Sequence, residues 1–185
     1  MVRSAAHLFG SRGVNGTSFS DVLVASGAPR GSIYHHFPGG KRQLTEDAIR
    51  WTSTEILAYL ESFPGGSPED AIEHFVALWR STVVSSGGTA GCPLVGTAVD
   101  VADDPVLLDL IHSQFEAWVD VLARQLQNAG ISPKRSASIA ITTVAAMEGA
   151  LLLCRAARSS APLETTAREL RRLVEQALPH RGRAG

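Results

Sequence analysis

The sequence predicts an all-α protein: a three-helix head of the helix-turn-helix kind over residues 1–42, then a helical body over residues 43–185, about nine helices in all. Three observations carry this. Apolar residues recur at helical spacing along nearly the whole chain, and no stretch sustains the alternation of a half-buried strand. Glycine and proline clusters cut the chain into three short helical segments followed by about six in the body. Hydrophobic residues at 44% against 19% charged supply a real core and exclude a disordered chain.

The first short helix carries Val2, Ala5, Ala6, Leu8 and Phe9, and Gly10, Gly13 and Gly16 are expected to end it. Thr17 or Ser18 caps the second, with Asp21 three residues after Ser18 as in a capping box. Phe19, Val22 and Leu23 give that helix its apolar side, and Gly27 stops it. Pro29 suits the first turn of a third helix running through Ile33 to about His36. Beyond Pro38-Gly39-Gly40 the helices lengthen. Leu44, Ala48, Trp51, Ile56, Tyr59 and Phe63 form one stripe, ended by Pro64-Gly65-Gly66. Ser67-Pro68-Glu69-Asp70 is a strong helix start: a cap, a proline, then acids that suit the dipole. A short helix follows Pro93, and a long one starts at Asp104-Pro105. The helix opened by Ser132-Pro133 is apolar on nearly every side from Ile139 to Leu153 and reads as buried all round. Pro162 opens the last, with Leu163, Ala167, Leu170, Val174 and Leu178 inward, a face that a lone body is expected to expose and a second copy to cover, and Glu164/Arg168 and Arg171/Glu175 spaced as i,i+4 pairs on its outside.

The net charge of −1 hides an asymmetry. Up to Arg50 there are six basic and three acidic residues, a net +3; the remainder is −4. A basic head on an acidic body suits a protein whose head alone meets nucleic acid. Two distant cysteines, Cys92 and Cys154, make no disulfide framework. No secretory leader is visible, and Ser138, Thr142, Thr143 and Glu148 interrupt the longest apolar run, so a soluble cytoplasmic protein with no membrane partner is expected. The six histidines show no metal-ligand spacing, and no cysteine pair does; no nucleophile with a base, paired carboxylates or phosphate loop appears, so neither a metal, a cofactor nor an enzyme is expected.

The strongest signal is Thr17 to Leu44, TSFSDVLVASGAPRGSIYHHFPGGKRQL. Phe19, Val22, Ile33 and Phe37 are spaced to share a small core, Gly31 and Ser32 leave the start of the third helix slim, and Arg30, Tyr34 and His35 project outward. Such a helix can enter a major groove. With Leu8-Phe9 to Gly13, Thr17-Ser18, and Gly27 through Phe37 to Lys41, this stretch closely resembles the DNA-binding head of the TetR family over residues 4–50. The Pro-Gly-Gly-Lys variant and Gly91-Cys92-Pro93-Leu94 are similar to the LmrA/YxaF-like subgroup, repressors often tied to resistance or efflux genes. The resemblance implies that Thr17, Arg30, Gly31, Ser32, Tyr34, His35, His36 and Lys41 lie at or near positions that contact DNA, mostly its phosphates. It also implies a homodimer through the last two helices and a cavity for a small hydrophobic effector.

Trp51, Tyr59, Phe63, Phe75, Trp79, Phe115, Trp118 and Met147 are large body side chains, each read first as core; the resemblance implies that some of them line such a cavity. His112 and Thr143 are further candidates. Glu148, on the apolar helix, could meet a cationic ligand, pair with Arg155 or sit at a dimer seam. Cys92 reads as a structural thiol or a redox sensor. Two functions stay open: a ligand-responsive repressor binding double-stranded operator DNA as a homodimer, or a small-molecule binding protein whose head no longer binds DNA.

Overall fold

The computed structural model describes residues 1–178. Among them are nine helices and no strand: α1 (Val2–Arg12), α2 (Phe19–Ser26), α3 (Ser32–His36), α4 (Gly40–Glu61), α5 (Pro68–Ser85), α6 (Pro93–Asp100), α7 (Pro105–Asn128), α8 (Pro133–Ala157) and α9 (Ala161–Glu175). They form two compact units, one of residues 1–57 with 89–116, the other of 58–88 with the described residues from 117. The helices α4 and α7 contribute to both.

In the first unit Ala5, Ala6, Phe9, Val14, Val22, Ile33, Phe37, Leu44 and Ala48 form one buried cluster, with Phe19, Leu23 and Trp51 packed against it. Burying Phe9 fully makes it worth about 3–5 kcal/mol by the cost of truncating such a ring. The capping box at α2 forms as expected: Ser18 Oγ accepts the Asp21 N–H at 3.2 Å, and Asp21 accepts the Ser18 N–H at 2.8 Å. The Ser18 hydroxyl, donating to Asp21 at 2.6 Å, and then the Ser18 N–H hold the Asp21 carboxyl below its ordinary value. Gly27, at φ 68, supplies the left-handed exit from α2. The proline expectation is displaced: Pro29 sits in the turn before α3, where its carbonyl accepts the Ser32 N–H at 3.0 Å.

Gly10 does not end α1. It is buried inside the helix, where a Cβ would strike the Gly91 carbonyl; a Cβ on Gly96 would lie 2.6 Å from the Phe9 carbonyl oxygen. The helices α1 and α6 therefore pack backbone to backbone. The chain leaves α1 at Gly13, φ 74, whose N–H bonds the Phe9 carbonyl at 2.9 Å.

In the second unit α5, α8 and α9 pack on one another. Ser67 and Asp70 form the second capping box at the start of α5. The last carbonyls of α4 accept from the residues that follow, Ser62 N–H to Tyr59 O at 3.1 Å and Phe63 N–H to Leu60 O at 3.2 Å, and from other helices as well: His74 Nε2 donates to Tyr59 O at 2.9 Å and Gln125 Nε2 to Leu60 O at 2.6 Å. Two expectations are corrected here. Leu163, Ala167, Leu170 and Val174 are buried within the chain. The helix α8 is not buried all round: Ser136, Ile139, Thr143, Met147 and Leu151 face inward, whereas Ile141, Leu152 and Leu153 are exposed. By length and composition α8 is apolar enough to cross a membrane, despite its hydroxyls, but its inner face is spent on helix packing.

The outer charges of α9 also pair differently from the i,i+4 expectation. Arg80 on α5 makes a fork to Glu164, Nε–Oε1 2.7 Å and Nη2–Oε2 3.1 Å, and also holds Glu73. Arg171 reaches the same Glu73 at 2.6 Å. The chain Glu164–Arg80–Glu73–Arg171 fastens α9 to α5.

Candidate functional site

The five-residue α3 is set on the head core by Ile33 and Phe37, both buried. Its other side is open. Tyr34 is 71% exposed, its ring edge-on to Phe19 at 5.9 Å. His35 and His36 are exposed, as is Arg30 in the preceding turn beside Gly31. Ser32 Oγ donates to the Pro29 carbonyl at 2.6 Å and so closes that turn. Gln43 ties α3 to α4, accepting the Gly39 N–H at 2.9 Å and donating to His36 O at 3.4 Å. Lys41 lies half-exposed in the first turn of α4, after Gly40 at φ 69. Thr17 is placed otherwise than its fellows: it is buried, and its hydroxyl donates to the Gly13 carbonyl at 2.8 Å. Arg30, Tyr34, His35 and His36 thus share one exposed end of the head, while Thr17 shapes the turn beneath.

Two residues that sequence reading did not connect with the head complete this unit. Asp100, closing α6, accepts the Asn15 N–H at 2.9 Å. Asp104, before α7, accepts from Arg42 Nε at 2.8 Å and from the Leu107 N–H at 3.1 Å. The hydrogen bond from Arg42 holds the Asp104 carboxyl below its ordinary value, and Asp104, with Glu46 beside it, raises the guanidinium. Nothing local in the sequence signals either contact.

The body candidates divide. Phe75, Trp79 and Trp118 form a buried aromatic tier, with ring centroids 6.5 Å and 6.3 Å apart along the series. Met147 and Thr143 on α8 are fully buried and Glu148 is half-buried. The indole N–H of Trp79 and the hydroxyl of Thr143 are buried with no hydrogen-bond partner among the described residues. Tyr59 and Phe63 instead flank His74: the Tyr59 ring stacks on it at 4.3 Å, its hydroxyl donating to His74 O at 3.1 Å. Burial, and then Glu73, raise the Tyr59 phenol above its ordinary value. In the first unit Trp51 packs edge-on to His7 at 6.1 Å, against the head core, and Phe115 is half-buried. His112 is exposed on α7, 3.5 Å from Glu116. Cys92 and Cys154 are both buried. Among the described residues no cluster of His, Cys, Asp or Glu could hold a metal ion; His180 lies outside them.

A capped head that exposes a short helix, joined to an all-helical body with its own core, defines a one-component helix-turn-helix transcriptional regulator. Comparison with known proteins gives the family. Residues 2–48 match the family "Bacterial regulatory proteins, tetR family", and residues 68–169 match "Transcriptional regulator LmrA/YxaF-like, C-terminal domain". The chain is 36% identical to the HTH-type transcriptional regulator Rv0196 of Mycobacterium tuberculosis, over 99% of this chain and 96% of that one. It is 28% identical to the HTH-type transcriptional regulator LmrA of Bacillus subtilis, over 88% of each. Among solved structures it resembles TetR regulators from Legionella pneumophila (TM-score 0.80, 26% identity, 96% of this chain and 95% of that one) and Chloroflexus aurantiacus (0.77, 28%, 95% and 92%). The chain belongs to the TetR family of transcriptional regulators and is related to its LmrA/YxaF-like group. It is therefore a cytoplasmic regulator of transcription of the ligand-responsive TetR type.

Proposed function

We infer that the chain represses transcription by binding double-stranded operator DNA as a homodimer, and that a small hydrophobic effector releases it. The observation that carries the DNA reading is the exposed end of the head, where Arg30, Tyr34, His35 and His36 stand together over a core fixed by Ile33 and Phe37. Arg30 and Tyr34 can donate to base edges or phosphates, and Lys41 offers a phosphate-directed charge at the flank. Gly31 keeps the entry to α3 slim, and Ser32 spends its hydroxyl on the turn.

The exposed stripe Ile141, Ala145, Leu152 and Leu153 on α8 supports pairing with a second copy. Beside it a groove of about 500 Å³ runs between α8 and α9, lined by Thr142, Ala146, Thr165, Glu169, Leu173 and their neighbours. A two-fold partner would cover both and set two heads at a fixed spacing.

For the effector, the tier of Phe75, Trp79 and Trp118 with Met147, Thr143 and Glu148 is the best-supported receiving surface. An indole N–H only donates, so the buried Trp79 donor calls for an acceptor on a planar, apolar ligand. Such a ligand releases DNA by favouring a conformation whose heads no longer match the operator. The test is a gel shift of the intergenic DNA beside the gene, then titration of planar hydrophobic compounds into the complex. Retarded DNA, freed by one of them, is the expected result. A failure of the dimeric protein to shift any such DNA would overturn the reading.

A further inference from the structure

The segment expected to read DNA runs from the α1–α2 turn to the start of α4, and both its ends are held by two aspartates only four residues apart. At one end Asp100 accepts the Asn15 N–H at 2.9 Å, and a Cβ on Gly13 would collide with the same carboxylate. At the other, Asp104 accepts from Arg42 Nε at 2.8 Å and Nη2 at 3.4 Å, with Glu46 on the remaining side of the guanidinium. Between these anchors α6 lies against α1, where Gly10, Gly91 and Gly96 bring backbone onto backbone. We propose that residues 89–104 are a base plate for DNA reading: through Gly96, Asp100 and Asp104 they set the pose of the whole segment 15–42, and so determine operator discrimination without touching DNA.

The charges make this a sharper statement than a structural role. An aspartate near a phosphate-facing surface weakens DNA binding by simple repulsion. Asp104 also engages the guanidinium of Arg42, next to Lys41, the residue best placed for a phosphate. If these carboxylates mattered only as charges, removing them would tighten binding to every sequence. If they position the segment, removing them lets α2 and the start of α4 drift relative to α3. Base contacts then suffer, while binding through phosphates alone does not. Asp100 acts through a hydrogen bond to a backbone N–H, which an asparagine oxygen can also accept.

This inference rests on the DNA-binding reading above, and the experiment separates the two. Full-length parent, Asp100→Ala, Asp100→Asn, Asp104→Ala and Arg42→Lys are titrated against operator DNA and against a scrambled duplex, with melting temperature recorded for each. Positioning predicts that Asp100→Ala, Asp104→Ala and Arg42→Lys lose about tenfold in operator affinity, the order of one well-placed base contact. Scrambled DNA should be bound as well or better, and Asp100→Asn should retain operator binding. Arg42→Lys keeps its charge but loses the fork, so it remains informative should an alanine variant fail to fold. Operator affinity unchanged or increased in the folded variants overturns the base plate alone. An equal loss on both duplexes also overturns it, because that marks a general weakening. A parent that binds neither duplex specifically overturns the proposed function instead.

Discussion

Replacing Arg80 by methionine should loosen the second unit by an amount the geometry allows one to work out. The Arg80 side chain is 31% exposed, Glu164 36% and Glu73 40%, so the group sits between the buried and surface limits. A fully exposed pair contributes about 0–1 kcal/mol, and a hydrogen bond to a charged group in the interior about 1.5–3. Discounting for that exposure leaves roughly 1 kcal/mol for each of the two pairings, so about 2 kcal/mol in all. Methionine keeps the apolar stem and removes only the charge. For a chain of this size the melting temperature should fall by about 4–8 °C. The pH dependence checks the cause. The hydrogen bond from Arg80, aided by Arg171 and Arg168, holds Glu164 below its ordinary value. A carboxyl whose folded pKa is lowered stabilises the fold above its unfolded pKa and loses that contribution as pH falls through the folded one. The gap between parent and Arg80→Met should therefore be full at neutral pH and shrink in acid as Glu164 takes up its proton. Far-UV circular dichroism melts at one fixed protein concentration, with the Arg80→Met/Glu164→Gln double-mutant cycle, measure it. A gap below about 1 °C at neutral pH, or one of equal size at both pH values, refutes the reasoning.

Other outcomes follow from the same geometry. Lys41→Ala should weaken binding to all sequences about equally and lower the salt slope by about one, whereas Arg30→Ala should cost about 1–3 kcal/mol on the operator and blur its discrimination; anisotropy titrations across a salt series distinguish them. Charging the exposed stripe with Leu152→Glu and Leu153→Glu should reduce the light-scattering mass to one chain, and a persistent dimer would place the seam elsewhere. Ser18→Ala should cost about 1 kcal/mol of stability through loss of the α2 cap, read from urea unfolding.

The starts of α2 and α5 were legible because their signals are local: Ser18 with Asp21, and Ser67-Pro68 with Asp70, act within one turn. The head core was legible too, since Phe19, Val22, Ile33 and Phe37 lie close in sequence at spacings that bring them onto the facing sides of two short helices. What periodicity cannot show is which element covers an apolar face. Leu163, Leu170 and Val174 were read as a dimer surface but are buried in their own chain, while the apolar residues left in the open, Leu152 and Leu153, lie on the helix read as wholly buried. Gly10 looked like a breaker because its reason, the Gly91 carbonyl, is far away in sequence. Arg171 suggested an i,i+4 partner in Glu175 because sequence spacing cannot see Glu73 on another helix. His112, a further pocket candidate, faces outward on α7 beside Glu116.

The shortness of α3 has a consequence for how a genome is searched. Five residues rise about 7.5 Å along a helix, little more than two base-pair steps of about 3.4 Å. A head that reads two or so base pairs by direct contact accepts about one random position in sixteen. Against roughly 10⁶ or more competing positions, that is almost no address at all. In a dimer the second head adds as much again, and the rest must come from the spacing between the two heads and from the stiffness of the DNA between them. Operators of this protein should thus tolerate changes within a half-site more readily than the insertion of one base pair at the centre.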